Sequence, residues 1–393
     1  MSALIALSSM HRSFGQEADL RDRLQANAIH RYNKAIRDIS HASEDELPVD
    51  AILMTVIVFH SLDSLRGCYQ RALQHAQSGV KIISERLLSR GSHQPSSMDE
   101  ALYRDFLALQ NQIREYGNLN TSRVFDALKG FDPPPKDRFG SVEEAAHQFD
   151  IVYNEISCLN DHCQALQESG VVLPGVFSNK IQPRFERISV RFGRWVLGMD
   201  RLGALLDGQG DDRQKRAFRV LMMYKSLFTA IINNFPTAAC FDQFDEDLAT
   251  ALDLAEIVVN GHGDGSESQT TFTLSLGVIP ALFMIAWRSN DDTIRDKSLR
   301  LLERANRREG VWDSAVALKL AQRYIALNKQ LASVDGYTSD SIQLSELRFD
   351  SEAICEMTCV FVGAGNPPGG TLMPFEGTTG ERRHVEIIHF GTS

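Results

Sequence analysis

The residues able to ligate a metal or move a proton are few and spread widely. In CLNDHC (158–163), Cys158, Asp161, His162 and Cys163 are all metal-ligand types. The two cysteines stand five apart inside a helical pattern, which does not place them on one clean face, and no second pair supplies the remaining ligands of a zinc site. Cys355 and Cys359, with His384 and His389 on a neighbouring predicted strand, would converge only in a favourable register. In CVFVGAGNPPGG (359–370), a strand runs into Gly363-Ala364-Gly365, as in a dinucleotide-binding turn. That turn must open a helix whose N-terminus faces the phosphates. Pro367 and Pro368 follow instead, and too little chain remains for a βαβ unit. The sequence has no Gly-x-Ser-x-Gly elbow and no His-Glu-x-x-His. No catalytic residue, metal ligand or cofactor is therefore assigned, and the reading leans away from an enzyme.

Two basic stretches remain. In RFERISVRFGRWVLGMDR (184–201), Arg184, Arg187, Arg191 and Arg194 recur on one helical face beside Phe185, Ile188, Phe192 and Trp195. Such a face suits an acidic partner or phosphate, or more ordinarily a solvated exterior. DKSLRLLERANRREGVWDS (296–314) looks like a nucleic-acid reader, but residues 289–314 hold six basic and six acidic side chains. A phosphate-binding helix would not be neutralised in this way. Leu299, Leu302 and Ala305 make an apolar stripe, Asp291 and Asp292 suit a helix start, and Gly310 suits a left-handed C-cap. Asp313 or Ser314 can then cap the next helix, so the segment reads as a tight helix–Gly–helix corner. His60, Arg66, His75, Arg187, Arg191, Arg194, Trp287 and Trp312 are the candidate effector or partner contacts. His60, His75 and both tryptophans also suit plain packing roles.

These residues need a scaffold. The chain has 393 residues, 43% of them apolar, and a net charge of −10, which argues against phosphate backbone as its main partner. The longest apolar run, AILMTVIVF (51–59), is far shorter than the ~20 residues that span a bilayer. The N-terminus lacks the features of a signal peptide, and six scattered cysteines fit reduced thiols. Helical spacing recurs over 24–40, 49–65, 68–88 and 315–331, with short connections of the kind that join helical hairpins. Gly-, Pro- and Ser-rich loops are expected at 89–97, 129–141 and 260–269. AICEMTCVFV (353–362) and RHVEIIHF (383–390) read as two strands of a long-looped hairpin. The expected fold is mostly α, an antiparallel helical-hairpin or solenoid-like array (1–332). A linker and C-terminal β extension (333–393) would pack on it.

LGVIPALFMIAWRSNDDTIRDKSLRLLERANRREGVWDS (276–314) resembles a recurrent segment of the fungus-specific transcription factor regulatory domain: an apolar Gly-x-x-Pro stretch, then a helix ending in Arg-x-Glu-Gly and an aromatic residue. ALIALSSMHRSF (3–14) is similar to that family's early helix. The segment over 32–83, with Leu65-Arg66-Gly67 and His75-x-x-Ser78-Gly79, is similar to its paired helices. The resemblance implies a helical regulatory domain that normally follows a DNA-binding cluster of six cysteines and zinc. No Cys-x-x-Cys occurs in this sequence, so zinc is expected only from a module upstream, and no direct DNA contact is expected from this chain.

The resemblance further implies a nuclear (otherwise cytoplasmic) transcriptional regulator of metabolic or secondary-metabolite genes. Protein partners or a homodimer are expected, and a small-molecule effector is a candidate ligand. No membrane association is expected. The competing expectation is a stand-alone enzyme or small-molecule-binding protein of a biosynthetic pathway on the same scaffold.

Overall fold

The computed structural model describes residues 1–13, 16–41, 48–89, 96–114, 132–168, 181–235, 244–261, 271–332, 342–351, 354–361, 372–373 and 382–390. Among them are twelve helices: α1 (Ser2–Ser13), α2 (Ala18–His41), α3 (Val49–Arg66), α4 (Tyr69–Ser89), α5 (Ser97–Arg114), α6 (Val142–Glu168), α7 (Gln182–Gln209), α8 (Asp212–Asn234), α9 (Asp245–Asn260), α10 (Ile279–Arg288), α11 (Asp292–Ala305) and α12 (Ser314–Ala332). Consecutive helices pack in pairs, α1 on α2, α3 on α4, α6 on α7, α8 on α9 and α10 on α11. The protein is mostly helical, as its periodicity implies.

The central element is α10. Its residues Ile279 to Ala286 are all buried, and a helix apolar all round belongs inside a core. The principal core gathers side chains of α4, α6–α12 and the C-terminal sheet, with Phe149 in ring contact with Trp195, Tyr224 and Phe228. One satellite core lies between α3, α4 and α5 (Leu53, Val80, Phe106) and another between α1, α2 and α3 (Ala6, Tyr32, Phe59).

Two small sheets complete the fold. β1 (Thr271–Thr273) runs parallel to β2 (Arg307–Glu309), which turns back on β3 (Trp312–Asp313). β4 (Ile342–Ser351), β5 (Ile354–Phe361), β6 (Leu372–Met373) and β7 (Arg382–His389) form an antiparallel sheet in the order β4-β5-β7-β6. The expected β5–β7 pairing is present. β4 (IQLSELRFDS) is a strand beyond the two expected ones, within the segment 333–393 expected as linker and β extension. Tyr69 packs on Phe349 (ring centroids 5.0 Å) and Arg323 of α12 clasps Glu386 (2.7 Å), which attaches the sheet to α4 and α12.

The helix–Gly–helix corner is corrected. α11 ends at Ala305, where Asn306 is the left-handed cap (φ 38°), and residues 307–309 are extended. Gly310 is left-handed (φ 60°) as expected, but in the β2–β3 turn. The extended form is selected by partners at both ends: the Gly310 N–H donates to Thr273 O (2.8 Å), and the Glu309 carboxylate reaches α10. Basic side chains of α11 are met by carboxylates of a neighbouring helix. Lys297 contacts Asp253 and Glu256 of α9 (2.5 and 3.2 Å), and Arg304 contacts Glu256 (3.7 Å).

Candidate functional site

The richest polar cluster lies where α3 turns into α4. Gly67 (φ 75°) ends α3, and the carboxylate of Asp63, four residues earlier, is buried beneath the turn. Tyr32 of α2 donates its hydroxyl to Asp63 Oδ2 (3.0 Å). His75 Nε2 of α4 lies 3.3 Å from the same oxygen and 3.0 Å from the Tyr32 hydroxyl. Both neighbours are acceptors at that point, so Nε2 carries the ring proton. Arg66 Nη1 (3.1 Å) and Arg71 Nη2 (3.8 Å) approach Oδ1. Burial pushes the Asp63 carboxyl up, but the bond from His75, the Arg71 charge, Tyr32 and Arg66 outweigh it and hold the group below the ordinary carboxylate range. Burial, then the Asp63 charge, raises the Tyr32 phenol and keeps it a donor.

A second cluster joins this one through β2 and β3. Glu309 accepts from the backbone N–H groups of Val278 (3.0 Å) and Ile279 (2.7 Å), so its carboxylate caps the N-terminus of α10. Pro280 sits in that first turn, where no N–H is needed. A Cβ on Gly277 would lie 2.0 Å from Glu309 Cδ, so the glycine exists to admit the carboxylate. The Gly-x-x-Pro and Glu-Gly pieces of the quoted segment are thus two halves of one cap. Glu309 is deeply buried, and that burial raises its pKa against the opposing pull of Arg307 (3.5 Å) and the two N–H groups.

Arg308 is the bridge. Its Nη1 donates to Leu65 O (2.5 Å) and its Nε to Asp313 Oδ2 (2.7 Å), while Asp313 Oδ1 accepts from Ala315 N (2.9 Å) and caps α12. Leu65-Arg66-Gly67 and Arg308-Glu309-Gly310 therefore meet in space. Trp312 Nε1 donates to Gln112 O (3.2 Å), which ties the end of α5 into the same joint.

His60 is fully buried one turn before Asp63, with Nδ1 donating to Ala72 O (2.9 Å). Burial lowers its pKa to about 4, with the Ala72 bond opposing and His75 assisting, so the ring is neutral. Its Nε2 and the Oε1 of Gln112 are buried acceptors with no donor among the described residues, and both lie close to Gly310.

The sequence candidates thus separate. His60, Arg66, His75 and Trp312 come together at this joint. Trp287 is remote, half-buried between Tyr324 (5.7 Å) and the Arg288 guanidinium (4.5 Å). On α7, Arg191 turns inward to Glu155 (3.1 Å) and Pro133 O (3.0 Å), while Arg187 and Arg194 are exposed. Asp63, Tyr32, Gln112, Glu309 and Arg308 also belong to the joint and are not among the sequence candidates. The signal for Asp63 is its place in the chain: a carboxylate following the apolar run 51–59, in the last turn of α3 beside His60 and Arg66.

The remaining candidates are not brought together where they are described. Cys158 and Cys163 are buried along α6. In the β5–β7 register, Cys359 stands opposite His384, but His389 stands opposite Ile354 and is exposed while Cys355 is buried, so the four do not share a face. Among the described residues, no three His, Cys, Asp or Glu side chains are grouped to hold a metal ion. Residues 362–370 of the glycine-rich turn lie outside the described residues. No described helix is long and apolar enough to cross a membrane.

The arrangement defines a helical protein with a buried ionic joint. No family model and no solved structure matches it. The chain is similar to the aspercryptin biosynthesis cluster-specific transcription regulator atnN of Emericella nidulans, 25% identical over 420 residues that cover 85% of this chain and 68% of that protein.

Proposed function

We propose that the chain is the regulatory region of a fungal transcription regulator that controls secondary-metabolite biosynthesis genes from the nucleus. The carrying observation is the similarity to atnN, a cluster-specific transcription regulator, across 85% of the chain. The geometry supports this reading because the joint couples α2, α3, α4, α5, α10 and α12 through matched donors and acceptors, which suits a body with alternative packings. An effector or protein partner acts by preferring one of those packings. Contact with DNA is assigned to a module outside this chain, and zinc to the same module.

Deleting the gene in its fungal host and measuring transcripts of the biosynthetic gene clusters tests the proposal. Loss of one cluster's transcripts together with its product is expected. Unchanged transcripts overturn it. A stand-alone enzyme or metabolite-binding protein is the second reading, favoured by the two buried acceptors His60 Nε2 and Gln112 Oε1, which a ligand donor would satisfy. In the same strain, loss of product with transcripts intact selects that reading.

A further inference from the structure

The outer face of α7 combines exposed arginines with exposed aliphatic side chains in a chain of net charge −10. From Arg187 to Met199 the helix carries three arginines and no carboxylate. Arg191 is used internally, which leaves Arg187 and Arg194, seven residues apart, exposed and without an ionic partner among the described residues. Val190 and Leu197, also seven apart, lie on the same face and are 58% and 53% exposed; Leu205, two turns on, is 64% exposed. The inward side is conventional, with Ile188, Phe192, Trp195 and Met199 buried and Trp195 Nε1 donating to Ala145 O (2.8 Å).

Gly193 stands between Val190 and Leu197 with no atom within 4 Å of a built Cβ. A mid-helix glycine costs about 1 kcal/mol relative to alanine, and nothing inside the molecule requires this one. It does permit close approach from outside. Two flanking charges are neutralised, Asp200 by Lys225 (2.7 Å) and Arg201 by Asp137 (2.7 Å), while Glu186 accepts from the neutral Gln182 amide (3.0 Å).

We propose that the Arg187–Val190–Gly193–Arg194–Leu197 face of α7 docks one amphipathic helix of a partner protein, with aliphatic residues along its seam and carboxylates flanking it. The aliphatic side chains lie over Val190, Gly193 and Leu197, and the carboxylates meet Arg187 and Arg194. A second copy of this face is a poor occupant, because pairing about Gly193 sets arginine against arginine. Phosphate backbone is poorer, since two arginines alternating with exposed aliphatics do not make the clustered charge it needs. The surface chemistry stands independently of the transcriptional reading.

The test is fluorescence anisotropy of the full chain with a labelled helical peptide bearing leucines at its a and d positions and glutamates beside them. A matched peptide with lysines for the glutamates is the control. The acidic peptide is expected to bind saturably and to weaken with salt, and the basic one not to bind. Arg187→Glu with Arg194→Glu is expected to weaken binding about tenfold or more. Gly193→Leu is expected to weaken it similarly without lowering the melting temperature, since the site is open. No saturable binding of the acidic peptide, or equal affinity of the double charge reversal, overturns the proposal. So does displacement of the peptide by a DNA duplex at lower concentration. Self-association in sedimentation that Leu197→Glu abolishes overturns it in favour of a second copy.

Discussion

Asp150→Asn isolates one buried proton. Asp150 lies on α6 against α5, and Asn111 donates its Nδ2 to the Asp150 carboxylate (3.2 Å) and to its carbonyl (2.9 Å). Burial raises its pKa to about 7, only partly offset by the Asn111 bond. An unfolded aspartate titrates near 3.9. The folded value lies above the unfolded one, so the native state holds the proton more tightly. Its contribution to stability is complete below about pH 4 and is lost as the pH rises through 7. Between pH 5 and pH 8 that loss amounts to about 2.5 kcal/mol. Asparagine has the same shape and no proton to lose, and its own Nδ2 can serve the Asn111 Oδ1, which has no donor among the described residues. The assay is urea denaturation of both proteins at pH 5 and pH 8. The variant minus wild-type difference is expected to grow by about 2.5 kcal/mol in favour of the variant at the higher pH. Background titrations cancel in the comparison. A difference independent of pH would show that Asp150 is solvated or paired, and would refute the reasoning.

Asp63→Ala leaves Arg66, Arg71 and His75 around a buried void and is expected to destabilise the chain by about 3 kcal/mol in urea denaturation at pH 7. The Asp63 contribution is present above about pH 4 and is lost as the pH falls through the depressed folded value, so wild type and variant should converge under acid. Gly277→Ala is expected to cost about 3 kcal/mol. Combined with Glu309→Ala it should cost clearly less than the sum of the two single changes, and strict additivity in that cycle would refute the shared cap. Cys355 and Cys359 are buried with thiols pushed up to about 12. Mass-spectrometric mapping should find neither alkylated at pH 8 in the native chain, and both alkylated in urea.

The helices read from spacing, at 24–40, 49–65, 68–88 and 315–331, are legible because each carries its own signal. Val49–Arg66 is marked by its apolar run, by Pro48 at its start and by Gly67 at its end, and α10 by its unbroken hydrophobicity. The joint was legible only as recurring letters. His60, Arg66 and His75 announced polarity on apolar helices, but nothing local says that Arg308 reaches the Leu65 carbonyl or that Gly277 makes room for Glu309. Those are tertiary facts, and periodicity reports only the nearest turn or two. The misplaced end of α11 has the same origin. Gly310 has the conformation expected of a helix cap, while contacts with Thr273 and α10 convert the preceding three residues to strand.

The bridge from Arg308 to the Leu65 carbonyl spans 243 positions, and the one from Trp312 to Gln112 spans 200. During synthesis at about 5–20 residues per second, the α3–α4 turn therefore waits on the order of 10 to 50 s for its far partner to leave the ribosome. Through that interval Gln112 and the turn over Asp63 lack the strand that closes them. The nascent chain must be shielded by something other than itself, so its yield in a foreign host is expected to follow chaperone supply more closely than the final stability of the fold.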